Sequence, residues 1–272
     1  MKKTVLFTLL FVAVSIISGV AQVKVAYITF VKTMDAAAST VQNDPIIRML
    51  SADANLTVTV KALTSVLATD VISDLSSFDV IIVQESFSGS AGMLMPSGAL
   101  ALKSIPKPCL YNKSYAFKSG RALTTSSAAG GKESNKSLAI KVQSTALSND
   151  LFKGCTFVGD SIKCFNAYAA DLGSTTTGAV KALNYSDGNA VTDASSTAIS
   201  TLLAVPSSNL TTPAISFNDI PAGSKIDSET TGARIITVGM NFGAICATGG
   251  TNITSDGLTI WRNAVYMLAG LT

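Results

Sequence analysis

Two places in the sequence set charged and hydroxylated side chains directly after an apolar run. The segment FDVIIVQ (78–84) leads into Glu85 and Ser86, and PCLYN (108–112) leads into Lys113, Ser114 and Tyr115. Glu85 is one of three glutamates, with Glu133 and Glu229. A carboxylate at a strand end beside a lysine can serve as a general base or accept a hydrogen bond from a sugar hydroxyl. The plainer reading is a Glu85–Lys113 ion pair that orders two loops, since structural pairs gather at such places too. Ser114 next to Lys113 suggests a Ser-Lys nucleophile. Neighbouring strand residues point to opposite faces, however, so activation would need a turn, and no third group is apparent. Thr29 and Lys32 follow another apolar run, and Asn241 follows a late one. Phe87, Tyr115 and Phe117 could stack on a sugar ring, or simply pack.

What is missing narrows the chemistry further. The chain has no histidine. Ser-His-Asp and Cys-His arrangements are therefore excluded, and so are HExxH zinc sites. Any catalysis would rest on carboxylates, lysine, tyrosine, a Ser-Lys pair or a bound cofactor. Neither a Walker A loop nor a GxGxxG after the first strand is present, and no cofactor or metal is implied. DGN at 187–189 and Asp219 lack the oxygen spacing of an EF-hand loop and read as turns. The four cysteines, Cys109, Cys155, Cys164 and Cys246, form no CxxC pair. Cys155 and Cys164 are close enough in sequence to be a candidate disulfide in an oxidising compartment. Cys109 and Cys246 fall in apolar strand candidates, where cysteine acts as a small hydrophobe.

These residues need elements to hold them. VKVAYIT (23–29) is β-branched and aromatic and predicts a buried first strand. Asp44-Pro45 is an N-cap and first-turn pair ahead of Ile46, Ile47, Met49 and Leu50. Residues 55–63 alternate as a strand, 70–75 predict a short helix, and 78–84 and 108–112 are near-continuous strands around a helix over 94–105. Strand and helix in alternation predict a three-layer, doubly wound, mostly parallel α/β sheet, flavodoxin-like in class. Residues 124–135 read as a polar, Gly-rich loop. Residues 138–220 give short strand candidates at 138–142, 162–165, 179–184, 202–205 and 214–217, read as extra strands extending one side of the sheet. Residues 233–240 return to the core pattern, and a last helix capped by Ser255 or Asp256 carries Leu258, Ile260, Trp261, Ala264, Val265 and Leu268 at helical spacing.

The N-terminus has Lys2 and Lys3, an apolar run over 5–17, then Ser18, Gly19 and Ala21. That order predicts a cleavable signal peptide over 1–21, with 22–272 as one domain in a secreted, periplasmic or cell-surface location. Removing Lys2 and Lys3 lowers Lys+Arg from 20 to 18 against 17 Asp+Glu, so the net charge falls from +3 to +1. A near-neutral chain offers no footprint for nucleic acid. No later stretch predicts a membrane span.

In strand order the chain resembles the class I glutamine amidotransferase-like superfamily, and within it the secreted ThuA-like branch. The residues that carry the resemblance are FDVIIVQES (78–86), KPCLYNKSYAFKSGRA (107–122), and GMNFG (239–243) with NITSDGLTIWRNAVYMLAG (252–270). The family's amidotransferases use a Cys-His-Glu triad, whereas this chain has Asn112-Lys113-Ser114 at the corresponding turn and no histidine, so glutamine hydrolysis by that mechanism is excluded. In open α/β sheets ligands bind beyond the carboxyl ends of the strands. The expected ligand-binding set is therefore Thr29, Lys32, Glu85, Ser86, Lys113, Tyr115 and Asn241, with Glu85, Lys113 and Ser114 as catalytic candidates. Three functions follow as expectations. The first is a non-catalytic domain binding a carbohydrate or other small polar ligand. The second is a sugar-directed hydrolase or isomerase, and the third a surface or assembly component.

Overall fold

A computed structural model of the chain describes residues 21–30, 43–63, 72–88, 91–95, 98–101, 104–113, 133–170, 177–184, 201–208, 214–215, 217–226 and 229–271. Residues 1–20 of the signal peptide expected over 1–21 lie outside these, as do Lys32, Ser114, Tyr115 and Phe117.

The chain opens with β1 (Val23–Phe30), α1 (Pro45–Ser51), β2 (Leu56–Leu63), β3 (Val80–Val83) and β4 (Cys109–Tyr111). The middle gives β5 (Glu133–Ser137), β6 (Ala139–Val142), β7 (Ser161–Lys163), β8 (Ala169–Ala170), β9 (Thr177–Gly178), β10 (Val180–Asn184), β11 (Thr201–Pro206) and β12 (Ala214–Ile215). The last part gives β13 (Phe217–Ile220), β14 (Lys225–Ile226), β15 (Glu229–Thr230), β16 (Ile235–Val238), α2 (Phe242–Gly250) and α3 (Ser255–Ala269).

Nine strands form one mixed sheet in the order β2-β1-β3-β4-β16-β13-β11-β6-β7. The first five are mutually parallel, and β13, β11, β6 and β7 continue antiparallel. The chain runs from β1 out to β2, then back across β1 to β3, so the winding reverses between β1 and β3. The fold is an α/β, flavodoxin-like arrangement with the middle of the chain adding strands to one side.

Burial follows from this layout. All residues of β3, β4 and β16 are buried, as are Val25 to Phe30 of β1. This matches the uninterrupted apolar runs expected when both faces of a parallel sheet are covered. On one face, Tyr27, Ile82, Leu110, Ile236 and Val238 pack with Ile46 and Leu50 of α1, Ile245 of α2, and Ile260, Trp261 and Val265 of α3. On the other, Ile28, Ile81, Val83, Cys109 and Tyr111 pack with Leu75, Phe78, Phe87, Met93, Leu100 and Ile105.

Several local expectations change. No α-helix forms among the described residues of 94–105. A 3₁₀ turn, Gly92–Leu94, is followed by successive turns instead. Met95, ahead of Pro96, is extended at φ −75°, ψ 164°, the region a residue before proline prefers. Gly98 also lies so close to its neighbours that a Cβ there would sit 2.2 Å from the Met93 carbonyl oxygen. The helix expected over 70–75 begins outside the described residues, and a 3₁₀ turn, Leu75–Ser77, is what is seen. Residues 133–135 are strand rather than loop, because β5 pairs with β10 in a separate sheet β12-β10-β5. Cys246 is in helix α2, not a strand. The cap of α3 is Thr254, whose Oγ1 accepts the Gly257 N–H at 3.0 Å. The helix closes on Gly270 at φ 70°, a left-handed C-terminal cap.

The expected Cys155–Cys164 bridge is not formed, and all four cysteines are free thiols. Cys164 Sγ turns to the Ile162 carbonyl at 3.7 Å, and Cys155 Sγ to the Asp256 carbonyl at 3.8 Å. Burial pushes the Cys155 thiol up to about 12, with the Asp256 charge adding to the effect.

Candidate functional site

Five of the seven expected ligand-binding residues are described, and all five lie buried at the carboxyl ends of β1, β3, β4 and β16: Thr29, Glu85, Ser86, Lys113 and Asn241. They fall into two groups, and a third set of polar residues lies behind them.

At the reversal between β1 and β3, Thr29 Oγ1 and Ser86 Oγ lie 3.0 Å apart, and Ser86 Oγ accepts the Phe30 N–H at 2.9 Å. Phe30 and Phe87 stack beside them with ring centroids 6.0 Å apart. Phe87 is 1 % exposed, so its ring is a packing group and offers no face to a sugar.

Next to this, Lys113 Nζ donates to Glu85 Oε1 at 2.8 Å and to the Glu85 carbonyl at 3.2 Å. Glu85 Oε2 accepts the Phe242 backbone N–H at 3.0 Å, at the first turn of α2. The side chains of the pair are 8 % and 2 % exposed. Burying two charges is tolerated when each is paired and further hydrogen-bonded. Here the second carboxylate oxygen is matched by a helix-terminal N–H, where negative charge is favoured. Asn241 caps the same helix, Oδ1 accepting the Ala244 N–H at 3.1 Å, while Nδ2 reaches the Ala169 and Gly178 carbonyls at 3.5 Å each. Its side chain is therefore engaged in holding α2 against β8 and β9. Gly243 allows the contact, since a Cβ there would come within 2.1 Å of the Ala170 carbonyl oxygen.

Behind the ion pair runs a third group that the sequence reading missed. The Met240 N–H donates to Asn112 Oδ1 at 3.1 Å, Asn112 Nδ2 donates to Gln84 Oε1 at 2.8 Å, and the Glu85 N–H donates to the same Oε1 at 2.6 Å. Gln84 Nε2 then donates to the Tyr27 hydroxyl, which donates to Asp44 Oδ2. Asp44 Oδ1 accepts the Ile46 N–H at 2.8 Å and so caps α1. The direction of this relay follows from its ends. Backbone N–H groups can only donate, so Asn112 and Gln84 must each accept through oxygen and donate a hydrogen bond onward through nitrogen. The Tyr27 O–H must then donate its hydrogen bond to Asp44. Burial raises Asp44 to about 6, against the pull of the Tyr27 and backbone hydrogen bonds. The Tyr27 phenol is pushed well up, first by burial and then by the Asp44 charge. A usable signal was present in the sequence. Gln84, Asn112 and Met240 continue the inward period-2 face of Ile82, Leu110 and Val238, so polar groups there had to find partners inside.

Among the described residues no group of three or more Cys, Asp or Glu is placed to hold a metal, and no helix is long and apolar enough to cross a membrane. The arrangement has the chemistry of a held carboxylate–ammonium pair. Glu85 has both oxygens engaged, whereas Lys113 uses two of its three donors on Glu85.

No family profile matches the chain, and no curated protein does. Among solved structures, a ThuA-like protein from Bacteroides uniformis ATCC 8492 is similar at 12 % identity and a TM-score of 0.49, over 91 % of this chain and 92 % of that one. A ThuA-like protein from Parabacteroides merdae ATCC 43184 is similar at 12 % identity and a TM-score of 0.47, over 92 % of this chain and 91 % of that one.

Proposed function

We propose that this is an exported ThuA-like domain that binds a carbohydrate or another small polar ligand at the carboxyl rim of the sheet, without turning it over. The observation that carries the reading is the placement of Thr29, Ser86, Glu85 and Lys113 at the carboxyl ends of the neighbouring strands β1, β3 and β4, at and beside the β1/β3 reversal. In open α/β sheets the crevice at such a reversal is where ligands bind. Lys113 keeps a donor beyond those it gives to Glu85, which suits a hydroxyl or carbonyl oxygen. Binding rather than catalysis is favoured because both Glu85 oxygens are engaged, by an ammonium and by a backbone N–H. A general base needs an oxygen within reach of the proton it removes. The burial of these groups favours a small ligand over a polymer. The resemblance at 78–86, 107–122 and 239–243 supports the family reading, and the N-terminal pattern supports export.

The test is a thermal-shift titration of the chain from residue 22 onward with monosaccharides, polyols and small carboxylates. One class of ligand should raise the melting temperature with a saturating dose response, since a ligand bound only by the folded state stabilises by mass action. Lys113→Met should abolish the response. A flat profile across the panel would remove the binding reading. Turnover of a sugar derivative that disappears in Glu85→Gln would replace it with the hydrolase or isomerase alternative.

A further inference from the structure

Asn218 belongs to neither the rim nor the relay. It sits in β13 opposite Thr237 of β16 on one side and Leu202 of β11 on the other. Thr237 is in register with Tyr111, and Tyr111 with Val83. Strand alternation therefore puts Asn218 and Thr237 on the face that carries Val83 and Tyr111. That face is the apolar cluster that also contains Ile28, Cys109, Ile220 and Ile235.

Within that cluster Asn218 is fully buried, and neither its Oδ1 nor its Nδ2 has a hydrogen-bond partner among the described residues. Only its backbone is served, the Asn218 N–H donating to Thr237 Oγ1 at 3.1 Å. Since that hydroxyl accepts from Asn218, its own proton is left to donate elsewhere. The neighbouring Tyr111 hydroxyl is directed to the Leu100 carbonyl at 3.4 Å. The row thus contains an amide with two donors and an acceptor, and a hydroxyl proton, in surroundings of carbon. Buried polar groups in native proteins are almost always matched by protein or by ordered water, because an unmatched one loses its hydration for nothing in return.

We infer that Asn218 and Thr237 hold an internal water molecule between β13 and β16. The chemistry selects a neutral molecule that both donates and accepts. It would donate to Asn218 Oδ1 and accept from Asn218 Nδ2 or the Thr237 hydroxyl. A cation would need a carboxylate, and the adjacent Asp219 is committed to Arg234 through two contacts of 2.9 and 2.8 Å. An anion would need a charged donor, and none of the aligned residues has one. Buried waters of this kind make two to four hydrogen bonds to such groups. The inference is independent of what the rim binds.

A crystal structure of the intact chain at a resolution that shows water is the direct test. One peak should lie about 2.7–3.2 Å from an Asn218 amide atom and from Thr237 Oγ1. Asn218→Leu supplies the second readout and should melt no higher than the wild type, because expelling the water leaves the Thr237 proton unmatched. A site without density, an Asn218 amide bonded instead to a protein group, or an Asn218→Leu variant melting several degrees higher would each overturn the assignment.

Discussion

The carboxylate of Glu85 accepts the backbone N–H of Phe242 at 3.0 Å, across 157 residues of sequence. Its other oxygen holds Lys113 at 2.8 Å. One side chain thus joins the ends of β3 and β4 to the first turn of the helix that follows β16. The carboxyl rim depends on that junction.

Removing half of the pair should therefore cost more than removing all of it. Glu85→Gln leaves a buried ammonium without its counter-charge and should destabilise the protein by about 3–5 kcal/mol in urea unfolding. Glu85→Gln combined with Lys113→Met should recover much of that loss. Equal midpoints for the single and double variants would show that the charges are not coupled.

Asp44 gives a pH signature. Burial raises its pKa from 3.8 to about 6, so the folded state holds the proton more tightly than the unfolded chain. The contribution is then fully favourable below about pH 4 and is lost as the pH rises through about 6, a change on the order of 3 kcal/mol. Other carboxylates act in the opposite sense. Lys61 holds Asp74 low at an exposed position, and Lys141 holds Asp160 low at a half-exposed one. The measurement is accordingly the difference between wild type and Asp44→Asn across pH 4 to 7. That difference should move in favour of the variant as the pH rises, and a constant difference would contradict the shift.

Gly250 is held at φ 82°, with Asn43 O 2.3 Å and Arg48 Nη2 2.7 Å from where a Cβ would stand. Gly250→Ala should destabilise the fold by about 1–3 kcal/mol, from left-handed backbone and close approach together. Gly270 has a similar φ of 70° but nothing within 4 Å of a Cβ. Gly270→Ala should therefore cost less, and chemical denaturation of the two variants separates strain from collision.

Thr254 caps α3 through its hydroxyl, so Thr254→Ala should lose about 1 kcal/mol of stability. Ser255→Ala should be nearly silent. The reverse order in thermal melts would move the cap one residue along the chain.

Much of this architecture was legible in the residues. The apolar runs at 23–29, 78–84 and 108–112 read as buried parallel strands because their lack of alternation reports cover on both faces, and β1, β3 and β4 are buried as expected. Asp44-Pro45 read as a helix start, and Asp44 does cap α1. The helix expected over 94–105 does not form among its described residues, where Met95 before Pro96 is extended and Gly98 packs against the Met93 carbonyl. Asn241, expected at a ligand, caps α2, a role that a short polar side chain after a strand does not announce in sequence. The antiparallel direction of β13, β11, β6 and β7 had no local signal, because strand propensity does not encode polarity.

By itself, the sequence determined which segments are buried strands, where the last helix runs, and that no histidine chemistry is open to the chain. Those properties are local or compositional, set by side-chain type and period. Only the tertiary structure decided that Glu85 meets Lys113 and Phe242, and that Tyr27, Gln84 and Asn112 form one relay ending on Asp44. Such contacts depend on the spatial order of strands, which brings together residues that no pattern along the chain relates.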